Sequence, residues 1–101
     1  MARVTPLATC TLLAVDRSGR EFPLTLVVGA PYETGPQEWA CPVRLDGLPA
    51  DLRDQHGVDS WQALQLAMRL LAHLLGCFIE DGGKLLWPDT REEIAVEELF
   101  P

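Results

Sequence analysis

Positive charge is scarce in this chain. Eight Lys and Arg stand against fifteen Asp and Glu, for a net charge of −7. Nucleic acids and anionic membranes are bound by cationic surfaces that release counterions, so this balance argues against both as partners. Cysteine is scarce as well. Cys10, Cys41 and Cys77 are odd in number, widely spaced, and form no Cys-x-x-Cys pair. With no export pattern in Met1-Ala2-Arg3-Val4-Thr5-Pro6, three reduced, largely buried thiols in a cytoplasm are expected. Long uncharged apolar runs are missing too. The most apolar region, Leu64 to Ile79, is interrupted by Gln65, Arg69 and His73 and does not read as a membrane span.

What remains is ordinary globular composition. The 101 residues are 48% hydrophobic and 23% charged, enough for one domain over 1–101 with a modest core. Seven Arg to one Lys hints at a GC-rich bacterial genome. Residues 7–15 are rich in strand formers, with Ala8, Cys10, Leu12 and Ala14 on one face. The Asp16-Arg17-Ser18-Gly19 turn leads into an alternating strand at 22–28, so a hairpin is expected. A loop with two prolines covers 30–37. A third strand, 38–45, shares Trp39, Cys41, Val43 and Leu45 on one face, with Pro42 marking an edge or bulge. Residues 49–55 suit a single helical turn. A long helix begins at Asp59-Ser60-Trp61-Gln62, which has capping-box spacing, and stops at Gly82-Gly83. Lys84 to Trp87 form a short strand, and 90–99 suit a short helix inside an acidic C-terminal segment, 89–101. The expected class is α+β: a mainly antiparallel sheet in β-β-β-α-β order with one apolar helix on one face.

That helix is apolar around most of its circumference. On ideal geometry Gln62, Gln65, Arg69, His73, Gly76 and Glu80 fall in a sector of about 80°. A helix lying on one sheet needs an apolar stripe of only about 100°. Either the C-terminal residues Ile94, Val96, Leu99 and Phe100 or a second copy of the chain must cover the other flank. A homodimer through helix 60–79 is the expectation, in the two-fold form commonest for such pairs.

Side-chain constellations offer little chemistry. His73 and Cys77 are spaced as two metal ligands would be on a helix, but no third ligand accompanies them. His56 and Cys41 form a base–nucleophile pair on paper only; Cys41 shares a face with Trp39 and suits the core. Gly82-Gly83-Lys84 follows a helix where a phosphate loop precedes one. No metal or cofactor is therefore expected. Glu92, Glu93, Glu97 and Glu98 cluster in the tail, as a solvated face or as the contact for a basic protein partner.

Two segments carry a family resemblance. They are Trp39-Ala-Cys41-Pro-Val-Arg-Leu-Asp-Gly47 and Gly57-Val-Asp59-Ser60-Trp-Gln62-Ala63-Leu64, supported by Gly-Gly-Lys-Leu-Leu-Trp-Pro and the closing Leu99-Phe100-Pro101. In these the chain resembles a family of small, uncharacterised bacterial proteins classed as a domain of unknown function. The resemblance covers most of residues 20–101 and implies fold, with no activity to transfer. Structural roles suffice for its motif: Asp59 and Gln62 as helix caps, Gly57 at the turn, Trp39 in the core.

The function expected on these grounds is non-enzymatic: a small acidic module that occupies a protein partner, as immunity proteins and export chaperones do. The alternative is a small-molecule binder or enzyme with a site near loop 30–37, lined by Tyr32, Glu33 and Trp39.

Overall fold

The computed structural model describes residues 5–101; the stretch Met1 to Val4, part of the N-terminus that shows no export pattern, lies outside them. The first strands form the expected hairpin, β1 (Pro6–Val15) and β2 (Glu21–Gly29). Its turn is organised by Asp16, whose carboxylate accepts from the amides of Ser18 and Arg20, both at 2.9 Å. Such a local acceptor is why Asp favours turns. On the inner face Leu12, Ala14, Leu24 and Leu26 are buried.

The following loop differs from expectation. Residues 30–37 contain a strand, β3 (Tyr32–Gly35), which pairs antiparallel with β4 (Glu38–Cys41). The strand expected over 38–45 is two strands in two sheets. Pro42, with no N–H to offer a ladder, is the point of transfer: its carbonyl accepts from the Gly29 amide at 2.9 Å, and β5 (Val43–Asp46) then pairs with β2. Residues 49–55 make no helical turn; the chain passes through them to β6 (Gln55–Gly57), which pairs with β4. The main helix is α1 (Ser60–Glu80), followed by β7 (Lys84–Leu86) against the end of β1. The helix expected over 90–99 shrinks to α2 (Val96–Leu99).

The class is α+β, with every pairing antiparallel. One sheet has the order β5-β2-β1-β7, the other β3-β4-β6. α1 lies across both, burying Ala63, Ala67, Leu71 and Leu75. Small residues in the first half of this stripe let the helix approach the short sheet closely; leucines in the second half fill the wider space over β1 and β7. Phe78 meets Phe22 edge-on at 6.0 Å, tying the helix end to the hairpin.

Both helix ends are closed by the residues that suggested them. Asp59 Oδ1 accepts from the Gln62 amide at 2.8 Å, and Gln62 Oε1 accepts from the Val58 amide at 2.8 Å. The Asp59 carboxylate oxygen satisfies an amide of the first helical turn, and the Gln62 amide oxygen satisfies one just before the cap. At the other end Gly82 takes φ +101°, and the amides of Gly82 and Gly83 donate to the carbonyls of Ile79 and Phe78.

The question of the second helix flank receives a divided answer. The C-terminal segment folds back: Ile94 is buried, and Val96, Leu99 and Phe100 pack on the core. Trp61 stays outside this cover, 72% exposed, and Met68, at its margin near Leu99 and Phe100, is 37% exposed. α1 also has the length and mean hydropathy, 1.4, of a membrane span. Its buried stripe, however, is spent on the two sheets.

Candidate functional site

Tyr32, Glu33 and Trp39 all lie in the β3–β4 hairpin but do not converge. Tyr32 stands opposite Ala40, and Glu33 opposite Trp39. Opposed residues share a sheet face and neighbours alternate, so Tyr32 points away from the other two. The Trp39 side faces α1, where Trp39 is half-buried against the core. On the other side the Tyr32 hydroxyl donates to the Asp54 carboxylate. That bond to a charged acceptor pushes the phenol above its ordinary value, with desolvation and the Asp54 charge adding to it.

The same alternation separates His56 from Cys41. His56 pairs with Ala40 and Cys41 with Gln55, so the imidazole and the thiol sit on opposite faces of the short sheet. Cys41 is fully buried, and its Sγ lies 3.4 Å from the Gly29 carbonyl oxygen. Burial raises its pKa, with the Asp54 charge second, which favours the protonated thiol. His73 Nε2 lies 3.7 Å from Cys77 Sγ, as helical spacing dictates. Among the described residues no group of three or more His, Cys, Asp or Glu side chains is placed to hold a metal ion.

Convergence occurs instead at the far end of α1. After β7 the chain turns at Asp89 to Arg91 and comes back along the strand, with Glu93 bridging to Leu86 and the Ile94 amide donating to Leu85 O at 2.8 Å. Arg91, at φ 62°, forms a bidentate pair with Glu21 of β2 that pins this return. A cleft of about 540 Å³ opens between the end of α1, β7 and α2. Ile79, Leu85, Ile94 and Val96 supply its apolar lining, and Leu85 and Ile94 are fully buried. Glu80, Glu93, Glu97 and Glu98 carry its charge, with Lys84 the one cationic side chain in the lining.

Three of the four tail glutamates therefore meet at one place. Glu92 does not; its backbone closes the turn, the amide donating to Thr90 Oγ1 at 3.3 Å and the carbonyl accepting from the Trp87 amide. Glu80 takes its place and was not anticipated, because nothing in the tail's own sequence shows that the helix end will lie against it. The backbone adds to this field. The last turn of α1 has no basic residue, so Lys84 is the one lining cation beside the negative end of its dipole. Glu98 is partly engaged, accepting from the Ala95 amide at 3.1 Å. Gly76, with open space where a side chain would stand, leaves the cleft wall low.

The surroundings suit an extended cationic segment: apolar contact for the stems of Lys or Arg, carboxylates for their heads. No curated protein and no solved structure matches the chain. A family model does, over residues 10–97, which includes both helix-start and Trp-x-Cys segments and the cleft lining except Glu98. The chain belongs to that family, described as a domain of unknown function, DUF6968.

Proposed function

We propose that the protein is a non-enzymatic protein-binding module of the cytoplasm that takes a basic segment of a partner into the cleft between α1, β7 and α2. The observation that supports this most is the gathering of Glu80, from the end of α1, with Glu93, Glu97 and Glu98 of the C-terminal segment around one apolar floor. Residues 80–101 hold seven acidic and two basic side chains, so −5 of the −7 net charge lies at this end. Such a field steers a basic partner toward the cleft and sets association rate more than final affinity. The mode of action is occupation of the partner, analogous in size and charge to immunity proteins and holding chaperones. Neither nucleic acid nor a membrane fits a surface of this sign.

The test is a cross-linking capture from cell extract with the wild-type chain and a Glu80→Gln, Glu93→Gln, Glu97→Gln, Glu98→Gln variant side by side. A basic protein cross-linked near Lys84 in the wild type and lost from the variant at low salt is the expected result. The same cross-links from both proteins would sink the reading.

A second reading, of assembly, has its own support. Trp61 and Met68 project from one side of a capped, rigid helix, and large exposed apolar side chains on a firm scaffold are the usual anchors of protein contacts. Self-association through this side of α1 covers them. Light scattering at micromolar concentration should then give about twice the 11.2 kDa chain mass; the chain mass itself would contradict it.

A further inference from the structure

β1 is paired along its whole length on one side and along only part of it on the other. β2 accompanies it from Pro6 to Val15, whereas β7 covers only Leu13, Ala14 and Val15. Among the described residues nothing pairs with the other flank of the first half of β1. The direction of its peptide groups follows from one proline. Leu13 stands opposite Pro23, which has no N–H, so this is a non-bonded position of the β1–β2 ladder and Leu13 bonds to Leu86 instead. Counting back by two, Thr11 and Thr9 turn their N–H and C=O groups the same way, into the space where no strand lies. Both residues are exposed.

Open edges invite pairing, and proteins usually guard them with charge, proline or cover. The other edges here are guarded or short, β6 having only three residues. β5 carries Arg44 and Asp46, β3 carries Glu33, and the outer side of β7 is closed by Glu93 and Ile94. β1 has no charged residue from Thr5 to Val15. Beside its open edge lies an apolar hollow of about 110 Å³, lined by Ala8, Cys10, Met68, Leu71, Leu99 and Phe100. Leu7 of the same strand is 56% exposed.

We propose that the protein self-associates by antiparallel pairing of β1 with β1 of a second copy, across a two-fold axis at Thr9. It rests on the self-association reading above but places the contact at the edge of β1 in place of the Trp61 side of α1. The open window runs from Pro6, where the strand begins, to Leu12, the residue before β7 takes over, and Thr9 is its centre. In this register Pro6 meets Leu12 of the second copy, and pairing requires Thr5, whose carbonyl accepts from the Ala30 amide at 3.0 Å, to turn clear of the second copy's β7. The irregularity in β1 falls at Pro6 to Ala8, leaving the centre regular. A chain of net charge −7 repels its own copy over most of its surface, and β1 is the place where two copies meet with no charge opposed. Thr opposite Thr is a favourable cross-strand pair. The result is one sheet running β5-β2-β1-β1-β2-β5 across the axis, with each β7 still paired to the end of its own β1, both α1 helices on the same face, and Met68 and Phe100 along the seam.

Thr9 faces its own copy in this arrangement, so charge there is diagnostic. The side chain of Thr9 lies on the face away from Ala8 and Cys10, where Glu or Lys remains in water. Light scattering and sedimentation are measured for the wild type, for Thr9→Glu, for Thr9→Lys, and for an equimolar mixture of the two variants. The wild type is expected at about twice 11.2 kDa, each variant to dissociate with Kd raised at least about tenfold, and the mixture to restore the dimer by opposite charges across the axis. A monomeric wild type overturns this and the self-association reading together. A dimer that both variants leave intact, or variants whose mixture stays dissociated, overturns the β1 contact and leaves α1 as the seat of association.

Discussion

A Cβ placed on Gly57 would lie 2.6 Å from the amide nitrogen of Ala63, closer than any relaxed contact allows. Gly57 therefore serves the approach of α1 to β6 rather than the turn between them. Ala63, fully buried, is the matching small residue on the helix. Gly57→Ala forces helix and strand apart, and overpacking of this kind costs roughly 1–3 kcal/mol. Urea unfolding should show that loss with an unchanged m-value, while Gly76→Ala, which meets nothing within 4 Å, should stabilise or leave stability unchanged. Equal effects at the two positions would refute the close-approach account.

The capping roles of Asp59 and Gln62 were legible from the residues, and the reason is local: they act within four positions of each other, where spacing alone fixes geometry. The hairpin 7–28 and the Gly82 stop were legible on the same ground. Gly57 was legible only as a turn residue, because its close approach to Ala63 appears once helix and strand are packed. The division into two sheets was not. Trp39, Cys41, Val43 and Leu45 alternate without a break through Pro42, so the pattern continues while the strand changes partner. β3 carries no apolar alternation because Tyr32, Glu33 and Thr34 are all exposed. Residues 49–55 have helical composition, but the tether between β5 and β6 holds them extended. The cleft was half legible: Glu93, Glu97 and Glu98 are a visible cluster, and Glu80 joins them only through tertiary folding.

Cys41 is a packing residue. Cys41→Ser exchanges a buried thiol for a hydroxyl whose stronger polar demand the site meets poorly, lowering stability by roughly 1–3 kcal/mol. In the native protein a thiol reagent should modify the half-buried Cys10 and Cys77 and reach Cys41 only on unfolding. Fast native labelling of Cys41 would show that the thiol is accessible and active.

The Glu21–Arg91 pair makes a pH-dependent contribution of known sign. The hydrogen bond from Arg91 holds the Glu21 carboxyl below its ordinary value of 4.5. Its contribution is therefore complete above about pH 4.5 and is lost as pH falls through the lowered folded value, because the unfolded chain takes up the proton first. The pair is exposed, so its effect is small and diminishes with salt. Glu21→Gln should narrow the stability difference from wild type as pH drops through this window. A difference that stays constant from pH 6 to pH 3 would mean the pair contributes nothing through charge.

Binding at the acidic cleft is tested most directly by a heteronuclear NMR titration of the protein with a short peptide of alternating Lys and Leu. Shifts should concentrate at Gly76, Ile79, Leu85, Ile94 and Val96, and should vanish when Glu80, Glu93, Glu97 and Glu98 are replaced by Gln. Shifts spread equally over Asp16, Asp46, Asp51 and Asp54, or unchanged in the quadruple variant, would show that the peptide meets only the general negative charge of the surface and that the cleft is no binding site.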